Sequence, residues 1–65
     1  MKLKELIESH LGDETWETLR DKTGISYGAM HRYRNTPDAD IKISNAIKIA
    51  KVLDFDMNEF KKLEE

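Results

Sequence analysis

The apolar residues of this chain recur at the spacing of helix faces, and that spacing constrains the fold more than any other feature. Leu3, Leu6, Ile7 and Leu11 follow the i, i+3, i+4, i+8 period of one helical face. No segment keeps the sustained period of two that an amphipathic strand requires. A chain of 65 residues has room for one domain with a small core. The sequence therefore predicts an all-α, compact five-helix bundle that forms a single domain over residues 1–65.

Capping residues and helix breakers divide the chain into those five helices. Gly12 is expected to end the first helix. The second helix is predicted over about 15–23, with Thr15 as its N-cap and Trp16 and Leu19 facing inward. The third is predicted over about 26–35, with a serine N-cap.

The rest of the chain predicts two further helices after the break at Thr36-Pro37. Asp40 or a neighbour is expected to cap the fourth helix. The residues predicted to face inward on this helix are Ile43, Ala46, Ile47, Ala50 and Leu53, and Ile49 and Val52 widen the same apolar face. In the fifth helix, Asp56 and Glu59 have the spacing of a capping box, and Phe55 and Phe60 that of a hydrophobic staple. The inward residues predicted there are Met57, Phe60 and Leu63.

The net charge of −2 is unevenly distributed along the chain. Residues 1–19 carry two lysines and five acids, and residues 54–65 again carry two lysines against five acids, so both ends are acidic. Residues 20–34 carry four basic residues and one aspartate, a local charge of +3, and residues 35–53 carry +1. Because the middle of the chain is basic, a polyanionic partner such as nucleic acid is compatible with the negative net charge.

Several functional classes are not expected. The chain has no cysteine, and its two histidines, His10 and His31, lie outside any ligand pattern, so neither a metal nor a cofactor is predicted. It has no phosphate-binding loop and no catalytic triad, which argues against an enzyme. Because no apolar run approaches the roughly 18 residues of a membrane span, we expect a soluble, cytoplasmic protein without a membrane partner.

The most informative stretch joins the second and third helices through Gly24, Ile25 and Ser26. A tight junction between two short helices needs a residue that tolerates positive φ, an apolar wedge and a small capping hydroxyl, in that order. This junction resembles the Gly-Ile-Ser turn of the Cro and repressor (Xre-type) helix-turn-helix regulators of phages and bacteria. The Lys-Ile-Ala-Lys-Val-Leu-Asp-Phe of residues 48–55 is similar to a pattern in that family's fourth helix. The resemblance implies a lambda-repressor-like DNA-binding domain.

Two positions depart from the family pattern. Arg20 stands where the family usually has a small residue, so its stem is expected to pack while its charged head reaches solvent. Trp16 stands where the family often has a glutamine that contacts DNA, and that contact is not expected here. Backbone N–H groups at the start of the second helix remain able to bind a phosphate.

The resemblance implies that the third helix reads the major groove. With Ala29, Met30 and Tyr33 facing inward, Arg32 is the expected guanine contact and Asn35 the expected adenine contact, each worth about 1–3 kcal/mol of discrimination. Arg34 lies at the flank of this face. The full set of predicted DNA-contacting residues is Thr15, Thr18, Ser26, Tyr27, Gly28, His31, Arg32, Asn35, Thr36 and Lys42.

Two functions remain open from the sequence. The first is a sequence-specific transcription regulator of the Cro type, binding an operator as a homodimer in a phage lysis–lysogeny switch. The second is a modulator of repression, or antirepressor, that binds a partner repressor protein through the same fold. The acidic balance and the short chain favour this second function.

Overall fold

Helices hold 45 of the 64 described residues in a computed structural model, which describes residues 1–64. Within that range it contains four α-helices and a final 3₁₀ helix, and no strand. The elements are α1 (Leu3–Leu11), α2 (Trp16–Thr23), α3 (Tyr27–Asn35), α4 (Ile43–Leu53) and the 3₁₀ helix (Met57–Glu64). The radius of gyration is 10.5 Å, and the extents are 29 × 23 × 21 Å. The all-α class and the compact arrangement of five helices are therefore confirmed for these residues.

The boundaries of α2 follow from local chemistry. The Thr15 side chain accepts a hydrogen bond from the Thr18 N–H at 3.1 Å, and the Thr15 N–H donates to the Thr18 hydroxyl at 2.9 Å. These reciprocal bonds satisfy two N–H groups that a helix start would otherwise leave unpaired. At the other end Gly24 adopts φ 72°, ψ 10°, and its N–H donates to the Arg20 carbonyl. A left-handed residue at this position ends a helix with its last carbonyls paired.

The start of α4 differs from the sequence prediction. Its N-cap is Lys42, whose side chain makes no capping bond, and Asp40 lies outside the helix and is exposed. Lys42 is extended, with φ −71° and ψ 145°, so helical geometry begins only at Ile43. The helix is held by the burial of Ala46 and Ile49 rather than by a side-chain cap.

The capping box predicted for the last helix does not form. Asp56 accepts a hydrogen bond from the Asn58 N–H at 2.7 Å rather than from the Glu59 N–H, which donates to the Asp56 carbonyl at 2.9 Å. The Glu59 carboxylate instead accepts from Lys62 at 2.8 Å and lies 3.2 Å from Nε2 of His10. The Glu59 carboxylate is therefore engaged away from the helix start, and the segment that follows Asp56 is a 3₁₀ helix.

The predicted staple is present at the same end of the molecule. The rings of Phe55 and Phe60 have centroids 5.5 Å apart and pack, half-buried, against the core. Phe55 also stacks on His10 at 4.2 Å, which joins the segment before the 3₁₀ helix to the last turn of α1. Met57 was expected to face inward, but it is 38% exposed at the first position of the 3₁₀ helix, so this prediction was wrong.

The core gathers residues from every α-helix and from the turn between α2 and α3. Its buried members are Leu3, Leu6, Ile7, Trp16, Leu19, Ile25, Met30, Tyr33, Ala46, Ile49 and Ala50. The Tyr33 side chain is 1% exposed, and its hydroxyl accepts a hydrogen bond from the Asn45 side-chain amide at 2.9 Å. The deepest hydroxyl of the core is therefore paired, which avoids the cost of an unsatisfied buried polar group.

The predicted burial of two apolar residues of α4 is wrong. Ile43 is 75% exposed and Ile47 is 39% exposed. On a helix that advances 100° per residue, Ala46, Ile49 and Ala50 take the face toward α2, and the two isoleucines lie beside it. They form an apolar pair on the surface, one helical turn apart.

Candidate nucleic-acid interface

The turn between α2 and α3 fixes how α3 sits on the rest of the molecule. Ile25 is 5% exposed and belongs to the same core cluster as Leu19 of α2 and Met30 of α3. The Ser26 side chain accepts a hydrogen bond from the Ala29 N–H at 3.2 Å and caps α3. Because one face of α3 is held by buried contacts, the opposite face is presented to solvent in a fixed orientation.

The outward face of α3 is basic and carries no counter-charge of its own. No residue of Tyr27–Asn35 is acidic, and Arg32 and Arg34 are both exposed. Neither arginine forms an ion pair with an acid in residues 1–64. The Arg32 guanidinium lies 6.0 Å from the ring centroid of the buried Tyr33, within the range of a cation–π contact. Two positive charges are thus available to an anionic partner.

The start of α3 carries an exposed stack of three side chains. Tyr27 is 67% exposed, and its ring lies nearly parallel to that of His31, with centroids 5.9 Å apart. The Arg20 guanidinium of α2 lies 5.5 Å from the Tyr27 ring centroid, and Nη2 of Arg20 lies 3.4 Å from the carboxylate of Asp21. The head of Arg20 therefore reaches the surface, as the sequence predicted, and it contacts α3 there.

Asn35 is exposed at the end of α3, but its amide is already used. Its Nδ2 donates to the His31 carbonyl at 2.9 Å and lies 3.2 Å from Nδ1 of His31. This bond uses one of the two N–H donors of the amide, and an adenine contact needs Oδ1 and the other N–H. The sequence does not predict this bond, because an asparagine side chain can bond to the backbone of its own helix or extend into solvent, depending on its rotamer.

Gly28 lies on the same face and has no structural requirement for glycine. Its φ is not in the left-handed range, and a Cβ built on it meets no atom within 4 Å. The backbone of α3 is therefore open to close approach at this point.

Thr36 and Lys42 flank the loop that follows α3. The Thr36 N–H donates to the Arg32 carbonyl at 2.9 Å and closes the last turn of α3. Both side chains are exposed, and Lys42 has no acid partner in the described part of the chain. These two side chains are accessible, and the loop between them also carries the exposed carboxylates of Asp38 and Asp40.

The start of α2 is less suited to a phosphate than the sequence suggested. The hydroxyls of Thr15 and Thr18 are occupied by the cap, and the Thr18 hydroxyl also donates to the Glu14 carboxylate at 2.7 Å. Glu14 pairs with Lys22 as well, and the hydrogen bonds from Lys22 and then from Thr18 hold the pKa of Glu14 below its usual range. A carboxylate thus occupies the helix start, and phosphate binding by Thr15 and Thr18 stays a prediction.

Sequence reasoning missed a depression between α2 and α3. Its volume is about 60 Å³, and it is lined by Trp16, Glu17, Arg20, Tyr27, Met30, His31 and Arg34. Trp16 is 8% exposed, and its indole N–H donates to the Glu8 carboxylate of α1 at 3.2 Å. The signal available in the sequence was the pair of Trp16 and Arg20, which places a large ring and a cation one helical turn apart on α2.

Comparison with family models, with curated proteins and with solved structures finds no match to this chain. Within residues 1–64, no cluster of three or more His, Asp or Glu side chains has the arrangement of a metal site. None of the helices described is both long and apolar enough to cross a membrane. The function is therefore argued from the geometry of the α2–α3 surface.

Proposed function

We propose that α2 and α3 form a helix-turn-helix and that the chain binds duplex DNA with the outward face of α3 in the major groove. One observation carries this proposal: α3 is free of acidic residues and presents two exposed arginines without acid partners. The major groove admits an α-helix, and phosphates on both sides attract such charges.

The overall charge of −2 does not oppose this proposal. The Debye length is about 8 Å at physiological ionic strength, so acids on remote parts of the surface are largely screened from the duplex. The charges that matter are those at contact distance, and on α3 they are positive. Lys42, immediately before α4, is a further exposed cation without an acid partner in residues 1–64.

The proposed contacts are of two kinds, those to base edges and those to phosphates. Arg32 is assigned to a guanine edge through two hydrogen bonds, and Asn35 to an adenine edge through its Oδ1 and the N–H that does not bond to the His31 carbonyl. Thr36 and Lys42 are assigned to phosphates, which fix register without reading sequence. In this proposal the chain is a Cro-like, Xre-type transcription regulator that acts as a homodimer on an operator, in a phage lysis–lysogeny switch.

Selection from a random duplex library, followed by affinity measurement with the enriched sequence, tests the proposal. We expect Arg32→Ala to weaken binding about 5- to 150-fold, the range for loss of one bidentate base contact. Lys4→Ala is the matched control, since Lys4 is an exposed α1 cation without an acid partner in residues 1–64. Enrichment of no sequence, or equal effects of the two variants, would contradict the proposal.

A second function is favoured by the apolar pair Ile43 and Ile47. Large exposed aliphatic side chains one turn apart are typical of a surface that another protein covers. The chain would then bind a partner repressor and modulate it. Ile43→Asp is expected to abolish such a complex and to leave binding to the selected duplex within about twofold, as measured by co-purification with the repressor and by duplex titration.

A further inference from the structure

We propose that the depression between α2 and α3 is a receptor for the C5-methyl group of one thymine. The inference rests on the proposed function and goes beyond it, because it assigns a specific base feature to a site that contains neither Arg32 nor Asn35. Thymine is the only standard DNA base that presents a methyl group in the major groove.

The size and lining of the depression suit a methyl group. Its floor is formed by Trp16 and Met30, and Tyr27 contributes an aromatic wall. The depression, of about 60 Å³, is small and open on one side, and it has room for a group of methyl size against its apolar side chains.

The charges around the depression favour DNA over an uncharged apolar occupant. Arg20, His31 and Arg34 line it together with a single acid, Glu17. Phosphate groups flank every base of the duplex, so a methyl group that arrives on DNA brings anions to the same rim. The carboxylate of Glu17 repels a phosphate at its part of the rim. Arg20 and Arg34 are therefore the expected phosphate partners.

Tyr27 is held in place to form the wall. Its ring centroid lies 5.5 Å from the Arg20 guanidinium and 5.9 Å from the centroid of the His31 ring. These contacts restrain a side chain that is 67% exposed, so little rotamer freedom is lost on binding. Arg20 acts as a positioning residue for Tyr27.

The experiment replaces each thymine of the selected duplex, one at a time, by deoxyuridine, which removes only the methyl group. With wild-type protein we expect one thymine at which the change costs about fourfold in affinity, the worth of burying one methyl-sized group. Tyr27→Ala is expected to abolish this difference, so that thymine and deoxyuridine duplexes bind equally. Lys4→Ala is expected to retain it.

The outcomes separate this inference from the proposed function. A duplex that is enriched but insensitive to deoxyuridine at every thymine overturns the inference and leaves DNA binding intact. A thymine preference that persists in Tyr27→Ala, with the variant folded by far-ultraviolet circular dichroism, also overturns it. If no duplex is enriched by wild-type protein, both the proposed function and the inference are refuted.

Discussion

The same substitution, glycine to alanine, is expected to have opposite effects at Gly28 and Gly24. Gly28 lies inside α3 with open space around its missing Cβ, so alanine restricts the unfolded chain without a steric cost. Interior glycines cost a helix about 0.5–1 kcal/mol relative to alanine. Because Gly28 is the second residue of α3, we expect Gly28→Ala to stabilise the fold by about 0.5 kcal/mol.

Gly24 has no close neighbours either, but its φ is +72°. An L-residue with a Cβ pays about 1–2 kcal/mol in the left-handed region. The Gly24 N–H also donates to the Arg20 carbonyl, so a backbone shift that relieved the strain would weaken this cap. We expect Gly24→Ala to destabilise the protein by about 1 kcal/mol.

Urea unfolding followed by the fluorescence of Trp16 measures both variants, since this single tryptophan is 8% exposed and reports on the core. The midpoint is expected to rise for Gly28→Ala and to fall for Gly24→Ala, with unchanged m-values. For a domain of this size, the expected shifts in Tm are about +2 to +4 °C and −4 to −8 °C. A destabilised Gly28→Ala or an unaffected Gly24→Ala would refute the reasoning about the α2–α3 turn.

Three further predictions address the core, the 3₁₀ helix and the α3 surface. Tyr33→Phe removes the acceptor of the Asn45 amide and is expected to cost about 1 kcal/mol in urea unfolding, whereas an unchanged midpoint would mean that the bond contributes nothing. The hydrogen bond from Lys62 lowers the pKa of Glu59, so its stabilising contribution is present above the unfolded-state pKa and is lost as pH falls through the lower folded-state pKa. Wild type should therefore be more stable than Glu59→Gln at pH 7, with a gap that closes below about pH 4, and a gap independent of pH would contradict this. Glu17→Gln removes an acid beside the α3 face and is expected to raise affinity for a non-cognate duplex by up to about fivefold at low salt, as measured by fluorescence anisotropy; a decrease would show that Glu17 itself contacts DNA.

The helices could be predicted because their signals are local. Thr15, Gly24 and Ser26 act through hydrogen bonds to residues three or four positions away, and all three lie at the boundaries that the sequence predicts. Buried residues such as Leu19 and Tyr33 followed from helical period alone. The expected burial of Ile43 failed because the period gives the angle of a residue on α4 but not how far the neighbouring helices extend over it.

The hydrogen-bond partners of side chains in and around the candidate site could not be predicted from the sequence pattern. The amide of Asn35 bonds to its own helix, and the carboxylate of Glu59 bonds to Lys62 rather than to the helix start. Each of these side chains has more than one possible hydrogen-bond partner, and the tertiary structure decides which bond forms. The depression between α2 and α3 likewise forms only when Trp16 and Tyr27, eleven positions apart in sequence, come together.

The most direct test of DNA binding through α3 is a titration of the ¹⁵N-labelled protein with its selected duplex, followed by amide chemical shifts. We predict that the largest changes fall on Tyr27–Asn35 and on Lys42, that α1 changes little, and that the changes shrink as salt is raised. Changes centred on Ile43 and Ile47, or on α1, with α3 unaffected, would contradict the assignment of α3 as the DNA-binding helix.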